Sequence, residues 1–161
     1  MKIGRITISD RASAGDYEDR SGPEIERILR QALGSDAQFI AVIVPDEVEL
    51  IAGKLRELAD QEHCDLIVTT GGTGIGARDV TPEATRAVLE KELPGFGELM
   101  RMKSFELVKT AILSRATAGA RGMSLIVNLP GKPSAVAECL TALGDAIREG
   151  VAHLKGDDPH A

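Results

Sequence analysis

The spacing of apolar residues changes several times along this chain, and each change marks an element. Arg5-Ile6-Thr7-Ile8-Ser9 alternates polar and apolar, the period of a strand. It runs into Asp10-Arg11-Ala12-Ser13-Ala14-Gly15, a polar, small-residue stretch that reads as a loop. Ser21-Gly22-Pro23 reads as a helix start, because proline suits the first turn, and Ile25, Ile28, Leu29 and Ala32 then recur at helical spacing. Residues 39–44 form a second apolar run closed by Pro45-Asp46, and Val48, Leu50, Ile51, Leu55 and Leu58 outline a second amphipathic helix. A third strand is expected over 66–69. Thr81 is the expected cap of a third helix, with Pro82 in its first turn and Ala84, Val88 and Leu89 on one face. Pro94-Gly95 breaks that helix, and 96–108 is again helical in pattern. Residues 110–122 read as irregular and 123–129 as a last strand. After Pro130-Gly131-Lys132-Pro133, a long amphipathic helix covers 134–154, with Val136, Leu140, Leu143, Ile147 and Val151 on one face.

Strands alternating with helices predict an α/β fold, a three-layer sandwich with a mostly parallel central sheet. A single domain over 1–155 is expected, with a frayed, flexible tail at 156–161. In such sheets ligands bind beyond the carboxyl ends of the strands. Here those ends are Ser9-Asp10, Pro45-Asp46, the glycine-rich run after residue 69, and Leu129-Pro130-Gly131. Every polar motif of the chain falls at one of them.

Composition narrows the function. Among 161 residues the net charge is −6, which argues against nucleic acid, a ligand that needs a basic footprint. Aromatic residues amount to 2%, too few for a base-stacking platform. Cys64 and Cys139 form no motif and read as buried free thiols, as suits a reducing cytosol. The start of the chain lacks an apolar signal core, and no apolar run reaches membrane-spanning length. A cytoplasmic protein without a membrane partner is the expectation.

The most informative stretch is LIVTTGGTGIGARDVTPEAT over 66–85. An apolar strand, a glycine loop, an acid and a helix start follow one another, an order that commonly builds a phosphate site. Glycines admit close backbone approach, and successive N–H groups supply donors to phosphate oxygens. Gly71, Gly72, Thr73 and Gly74 are therefore candidate ligand-binding residues. The run from Gly72 to Ala77 also fits the loose dinucleotide pattern G-x-G-x-x-A, but it follows the third strand rather than the first. The P-loop pattern is absent, since no lysine follows these glycines.

Asp46 and Asp79 each have a plain explanation as acids at a helix start, worth only about 0.3–1 kcal/mol when exposed. Together at neighbouring strand ends they suit a hard cation such as Mg²⁺, which takes one or two carboxylates plus substrate phosphates. Ser9, Asp10, Arg11 and Ser13 offer a cation and hydroxyls at the first strand end, and Lys132 and Ser134 stand at the last. Arg78, Arg101 and Lys103 read as surface charges. His63, His153 and His160 lack ligand spacing, and no Ser-His-Asp or Cys-His set supports nucleophilic catalysis.

These motifs resemble a known family. TTGGTGIGARDVTPEAT at 69–85 is similar to the signature of the molybdopterin adenylyltransferases and their relatives in molybdenum cofactor biosynthesis. ISDRASAGDYEDRSGP at 8–23, PGFGELMR at 94–101, TAILSRATAG at 110–119 and NLPGKPSA at 128–135 follow in the family's order. The resemblance covers nearly the whole chain. It implies a molybdopterin-binding type of fold, assembly as a homotrimer, and transfer of AMP from MgATP to the terminal phosphate of molybdopterin with release of pyrophosphate. It places Asp46 and Asp79 on the family's functionally important acids. Hand-over of product to a molybdenum-insertion protein follows from it too. The chain is too short to carry the second, metal-inserting domain of fused members. The alternatives are a non-catalytic molybdopterin-binding or carrier protein of the same fold, a nicotinamide-binding oxidoreductase domain, and a structural scaffold.

Overall fold

A computed structural model describes residues 1–157. Four strands run parallel: β1 (Lys2–Ile8), β2 (Gln38–Val44), β3 (Leu66–Thr70) and β6 (Ser124–Leu129). Two more, β4 (Lys91–Glu92) and β5 (Ala118–Arg121), add antiparallel at one edge. The six-stranded sheet has the order β2-β1-β3-β6-β5-β4. Its mostly parallel character is as the alternating pattern predicts.

Helices cover both faces. On one side α2 (Ser21–Leu33), α5 (Pro94–Phe105) and α6 (Pro133–Leu154) pack on Ile3, Leu66, Val68, Leu125, Val127 and Leu129. On the other, α3 (Val48–Arg56) and α4 (Thr81–Arg86) cover Ile6, Ile8, Ile67 and Ile126. The period-two side-chain alternation of a strand assigns neighbouring residues to opposite cores. Along α6, Val136, Leu140, Leu143, Ile147 and Val151 are all buried, and each such side chain contributes about 1.5–3 kcal/mol.

Several local expectations need correcting. Residues 10–13 are not a loop but a single helical turn, α1 (Asp10–Ser13), because the Ser9 side chain caps it by accepting from the Ala12 N–H. Thr81 is not a cap. Val80 holds that place, and Thr81 Oγ1 instead donates to the Gly71 carbonyl at 2.9 Å. The stretch 110–122 contains β5 and overlaps a 3₁₀ turn at Lys109–Leu113. Its alanines and glycines hid the strand, whose order comes from pairing with β6. Pro94 does not break α4, which already stops at Arg86, short of Val88 and Leu89 and with β4 in between; Pro94 instead starts α5. Both cysteines are buried and free, and burial pushes the Cys64 thiol up to about 11. Among the described residues no helix is long and apolar enough to cross a membrane. His160 and the tail from 158 onward lie outside the described residues.

The polar half of the β1 alternation does not face solvent. Arg5 is buried and donates to Asp19 at 2.8 Å and to Glu26 at 2.9 Å. Thr7 Oγ1 donates to the same Asp19 oxygen at 2.8 Å, and the other Asp19 oxygen accepts the Gly22 N–H. This network fastens the segment before α2 against the carboxyl end of β1.

Candidate active site

The carboxyl ends of β1, β2, β3 and β6 lie at one end of the sheet, because these strands are parallel and in register. The motifs singled out above therefore meet. At the end of β3 the chain turns through Gly71 (φ 98°) and Gly72 (φ 67°). A side chain on Gly71 would strike the Ile8 carbonyl oxygen, and one on Gly72 would strike Thr81 Oγ1 and come within 3.1 Å of Asp46 Oδ1. Only glycine satisfies both the dihedral and the space. The Gly71 N–H is committed to the Leu129 carbonyl at 3.2 Å. Those of Gly72, Thr73 and Gly74 have no partner among the described residues.

Two acids flank this loop. Asp46 Oδ2 accepts the Asp10 N–H at 2.9 Å, and the Asp46 N–H donates back to Asp10 Oδ1 at 3.0 Å. Asp46 Oδ1, beside Gly72, receives no donor. Asp79 Oδ2 accepts the Gly76 N–H at 2.9 Å, which leaves its other oxygen uncommitted. Burial pushes the Asp46 carboxyl up; the N–H from Asp10 opposes this, and the negative charges of Asp10 and Asp79 add to it. Asp10 goes the other way. Arg78 grips both its oxygens at 2.9 and 3.0 Å, and that hydrogen bonding lowers its pKa. Arg78 is thus not the free surface charge expected from sequence. It neutralises Asp10, whereas neither Asp46 nor Asp79 has an ion-pair partner among the described residues.

The turn after β6 is fixed by donors from elsewhere. Thr70 Oγ1 donates to the Pro130 carbonyl at 2.6 Å and Ser21 Oγ to that of Gly131 at 2.5 Å. A cavity of about 360 Å³ opens on one side, lined by polar groups from Ser9, Arg11, Asp19, Ser21, Gly71 and Lys132. A second, of about 500 Å³, lies on the other side and is mainly apolar, with Thr73, Gly74, Met100, Leu113, Ser134 and Cys139 among its walls. Lys132 lines both. Gly71 belongs to the first and Thr73 and Gly74 to the second, so the divide runs at Gly72, where Asp46 stands.

Sequence reading thus brought most candidates to one place. Ser13 faces solvent and lines neither cavity. Asp10, Asp46, Gly72 and Asp79 lie outside both linings too, but join the site through the paired Asp10–Asp46 bonds, the approach of Asp46 to Gly72 and the Asp79–Gly76 bond. Ser9 lines the first cavity, but its hydroxyl oxygen already serves as a cap. Arg11 stacks over the Tyr17 ring, 4.9 Å from its centroid, at the cavity rim. Arg101 is no surface charge; it is half-buried and donates to the carbonyls of Ser114 and Ala116, whereas Lys103 is exposed as expected. Arg115 escaped notice because its partners are main-chain carbonyls of the glycine loop. No periodicity signals such a contact. Among the described residues no three His, Cys, Asp or Glu side chains group as a metal cage.

Comparison with known proteins agrees with this fold. Residues 4–149 match the family described as a probable molybdopterin binding domain. The chain is 55% identical over 147 residues to the molybdopterin adenylyltransferase of Helicobacter pylori, covering 91% of this chain and 84% of that one. It is 46% identical over 153 residues to the molybdopterin adenylyltransferase of Escherichia coli K12, covering 95% and 78%. The crystal structure of the molybdopterin biosynthesis enzyme MoaB from Thermus thermophilus shares the fold with a TM-score of 0.87 at 40% identity, covering 96% of each chain. Identity of this extent leaves no room for a different fold or lineage, and the chain belongs to the molybdopterin-binding family, among its molybdopterin adenylyltransferases.

Proposed function

We propose that this chain adenylylates molybdopterin: AMP passes from ATP to the terminal phosphate of molybdopterin, pyrophosphate leaves, and the product serves molybdenum cofactor biosynthesis. One observation carries the reading. The successive unpartnered N–H groups of Gly72, Thr73 and Gly74 stand at the divide between two cavities that share Lys132. Two substrates joined through phosphate need such a bipartite site.

The chemistry asks little of side-chain bases. A phosphate oxygen of molybdopterin, already anionic at neutral pH, attacks the α-phosphorus of ATP. A new P–O bond forms, the bond to the β-phosphate oxygen breaks, and its electron pair leaves with pyrophosphate. Catalysis then rests on positioning and charge neutralisation. The residues present fit a magnesium ion. Asp46 and Asp79 each keep an oxygen without a donor, and Asp46 carries a charge that burial and its acidic neighbours disfavour. Mg²⁺ held by Asp46 and Asp79 would supply neutralisation of the triphosphate. Loop N–H groups bind phosphate oxygens, Lys132 balances charge on both sides, Ser9, Arg11 and the Lys132-to-Ser134 turn shape the remaining walls, and Asp10 holds Asp46 through their paired main-chain contacts.

The same proposal includes one domain over 1–155, a cytoplasmic location where MgATP is supplied, and hand-over of product to a molybdenum-insertion protein. It also includes a homotrimer. Met102, Leu107, Val108, Ile112 and Leu113 are exposed apolar residues at and just after the end of α5, where a subunit contact would cover them.

The test is pyrophosphate release when molybdopterin is added to the protein with ATP and Mg²⁺. Turnover is expected for the native chain, with a loss on the order of 10²–10³-fold for a folded Asp79→Ala or Asp46→Ala variant. A carrier would bind molybdopterin and release no pyrophosphate. Undiminished release by both variants would sink the metal assignment.

A further inference from the structure

The glycine loop is exposed along residues 75–78, yet it must present N–H groups and Asp79 in a fixed direction. Its own bonds are few. The Asp79 N–H donates to the Gly76 carbonyl at 3.0 Å, and the Gly76 N–H donates to Asp79 Oδ2. These close the tip but do not orient the loop against the sheet. Arg115, from the segment between the 3₁₀ turn and β5, does so at several points. Its main-chain N–H donates to the Thr73 carbonyl at 2.8 Å. Its Nε donates to the Gly74 carbonyl at 2.8 Å and its Nη2 to the Asp79 carbonyl at 2.7 Å. Its Nη1 pairs with Glu83 in α4, and this contact holds the Glu83 carboxyl below its ordinary range.

One planar guanidinium therefore bridges both legs of the loop and the helix that follows. The fork geometry of arginine allows this, whereas a lysine ammonium is a point charge that cannot span the same carbonyls as rigidly. Glu83 balances the charge of Arg115, so the residue acts as a brace rather than as an anion ligand. We propose that Arg115 is a positioning residue for adenylyl transfer, fixing the Gly72 to Gly74 donors and Asp79 by bridging the two legs of the glycine loop. The inference rests on the function proposed above. Arg115 directly follows Ala111, Leu113 and Ser114, which line the apolar cavity. Filling that cavity and shaping the phosphate loop are thus linked through one short segment.

The experiment uses the full chain with Arg115→Ala, Arg115→Lys and Glu83→Gln. Amide hydrogen exchange at residues 73–79 is measured without ligands, and adenylyl transfer from MgATP to molybdopterin is measured in parallel. Arg115→Ala is expected to speed exchange in this loop alone. It should lower kcat by about tenfold or more while KM for molybdopterin stays within about threefold, as expected when orientation is lost. Ethylguanidine should restore part of the rate, and Glu83→Gln should stay within about threefold of the native kcat because both carbonyl contacts survive. A folded Arg115→Ala protein with unchanged kcat, or one with slow turnover but native loop exchange and no guanidine rescue, overturns the proposal. Should Arg115→Ala not fold, Arg115→Lys decides by the same two readouts. A native chain with no turnover at all defeats the adenylyltransferase reading instead, and the exchange data then still judge the brace.

Discussion

The two cavities on either side of Lys132 are built on different principles. The polar one is walled by the ends of β1 and β3 and the segment before α2, and ion pairs hold it in shape: Asp19 is clamped by Arg5, Thr7 and the Gly22 N–H. The apolar one is walled by α5, the 3₁₀ turn and the first turns of α6, where Met100, Leu113 and Cys139 pack. Charge in the first should carry a large share of stability, because removing one partner of a buried pair strands the other. The second should tolerate changes of shape along its partly exposed wall, at Ala111 and Leu113, at little cost to the fold and at greater cost to binding, whereas Met100 and Cys139 belong to the core.

Arg5→Met breaks the comparison most severely. Asp19 and Glu26 lose their shared cation while Asp19 remains almost fully enclosed. Unfolding in urea should show a loss of about 3 kcal/mol, the low end for a broken buried pair because Thr7 and Gly22 still donate to Asp19. A loss below about 0.5 kcal/mol, the level of an ordinary surface substitution, would mean that packing rather than charge holds the polar wall.

The same contrast explains what the sequence could tell. Strand alternation and helical spacing revealed β1, β2, β3 and most helices, because a half-buried element writes its period into the chain. The polar loops followed from coincidence: each acid alone reads as a helix-start residue, but a glycine run and two acids at neighbouring strand ends together suit phosphate and a cation. The apolar cavity was hidden. Its walls come from α5 and from a 3₁₀ turn that reads as irregular, and their aliphatic residues look like ordinary core. The buried Arg5, the paired Arg78 and the brace Arg115 were hidden for another reason. A charged residue announces its charge but not its partner, and these partners lie 14, 68 and 41 positions away.

Ala111→Trp probes the other side. Ala111 lies in the 3₁₀ turn and lines the apolar cavity. An indole there should leave stability almost unchanged, because the position is only partly buried. It should raise KM for one substrate by about tenfold, the scale of a lost apolar contact, and leave the other within about twofold. Equal increases for ATP and molybdopterin would show that the cavities act as a single site and that the divide at Gly72 has no functional meaning.

The smallest effect concerns the divide itself, where neighbouring acids have opposite electrostatics. Asp46 is raised above its ordinary 3.8, by burial first and then by the charges of Asp10 and Asp79. Its stabilising contribution is therefore complete only below 3.8 and is lost as pH rises through the folded value. At neutral pH the ionised group detracts from the ligand-free fold. Asp46→Asn, which keeps an oxygen for the Asp10 N–H, should melt higher than the native chain at pH 7, with an advantage that shrinks as pH falls toward 4. Asp10 is lowered, chiefly by hydrogen bonds from Arg78, so its contribution is present above 3.8 and lost as pH falls through the folded value. Asp10→Asn should melt lower at pH 7. Thermal melts of both variants without Mg²⁺ make the comparison, and shifts of the same sign would refute this account of the pair. Added Mg²⁺ should stabilise the native chain by mass action and do little for Asp46→Asn, because the cation then lacks the acid that most needs it.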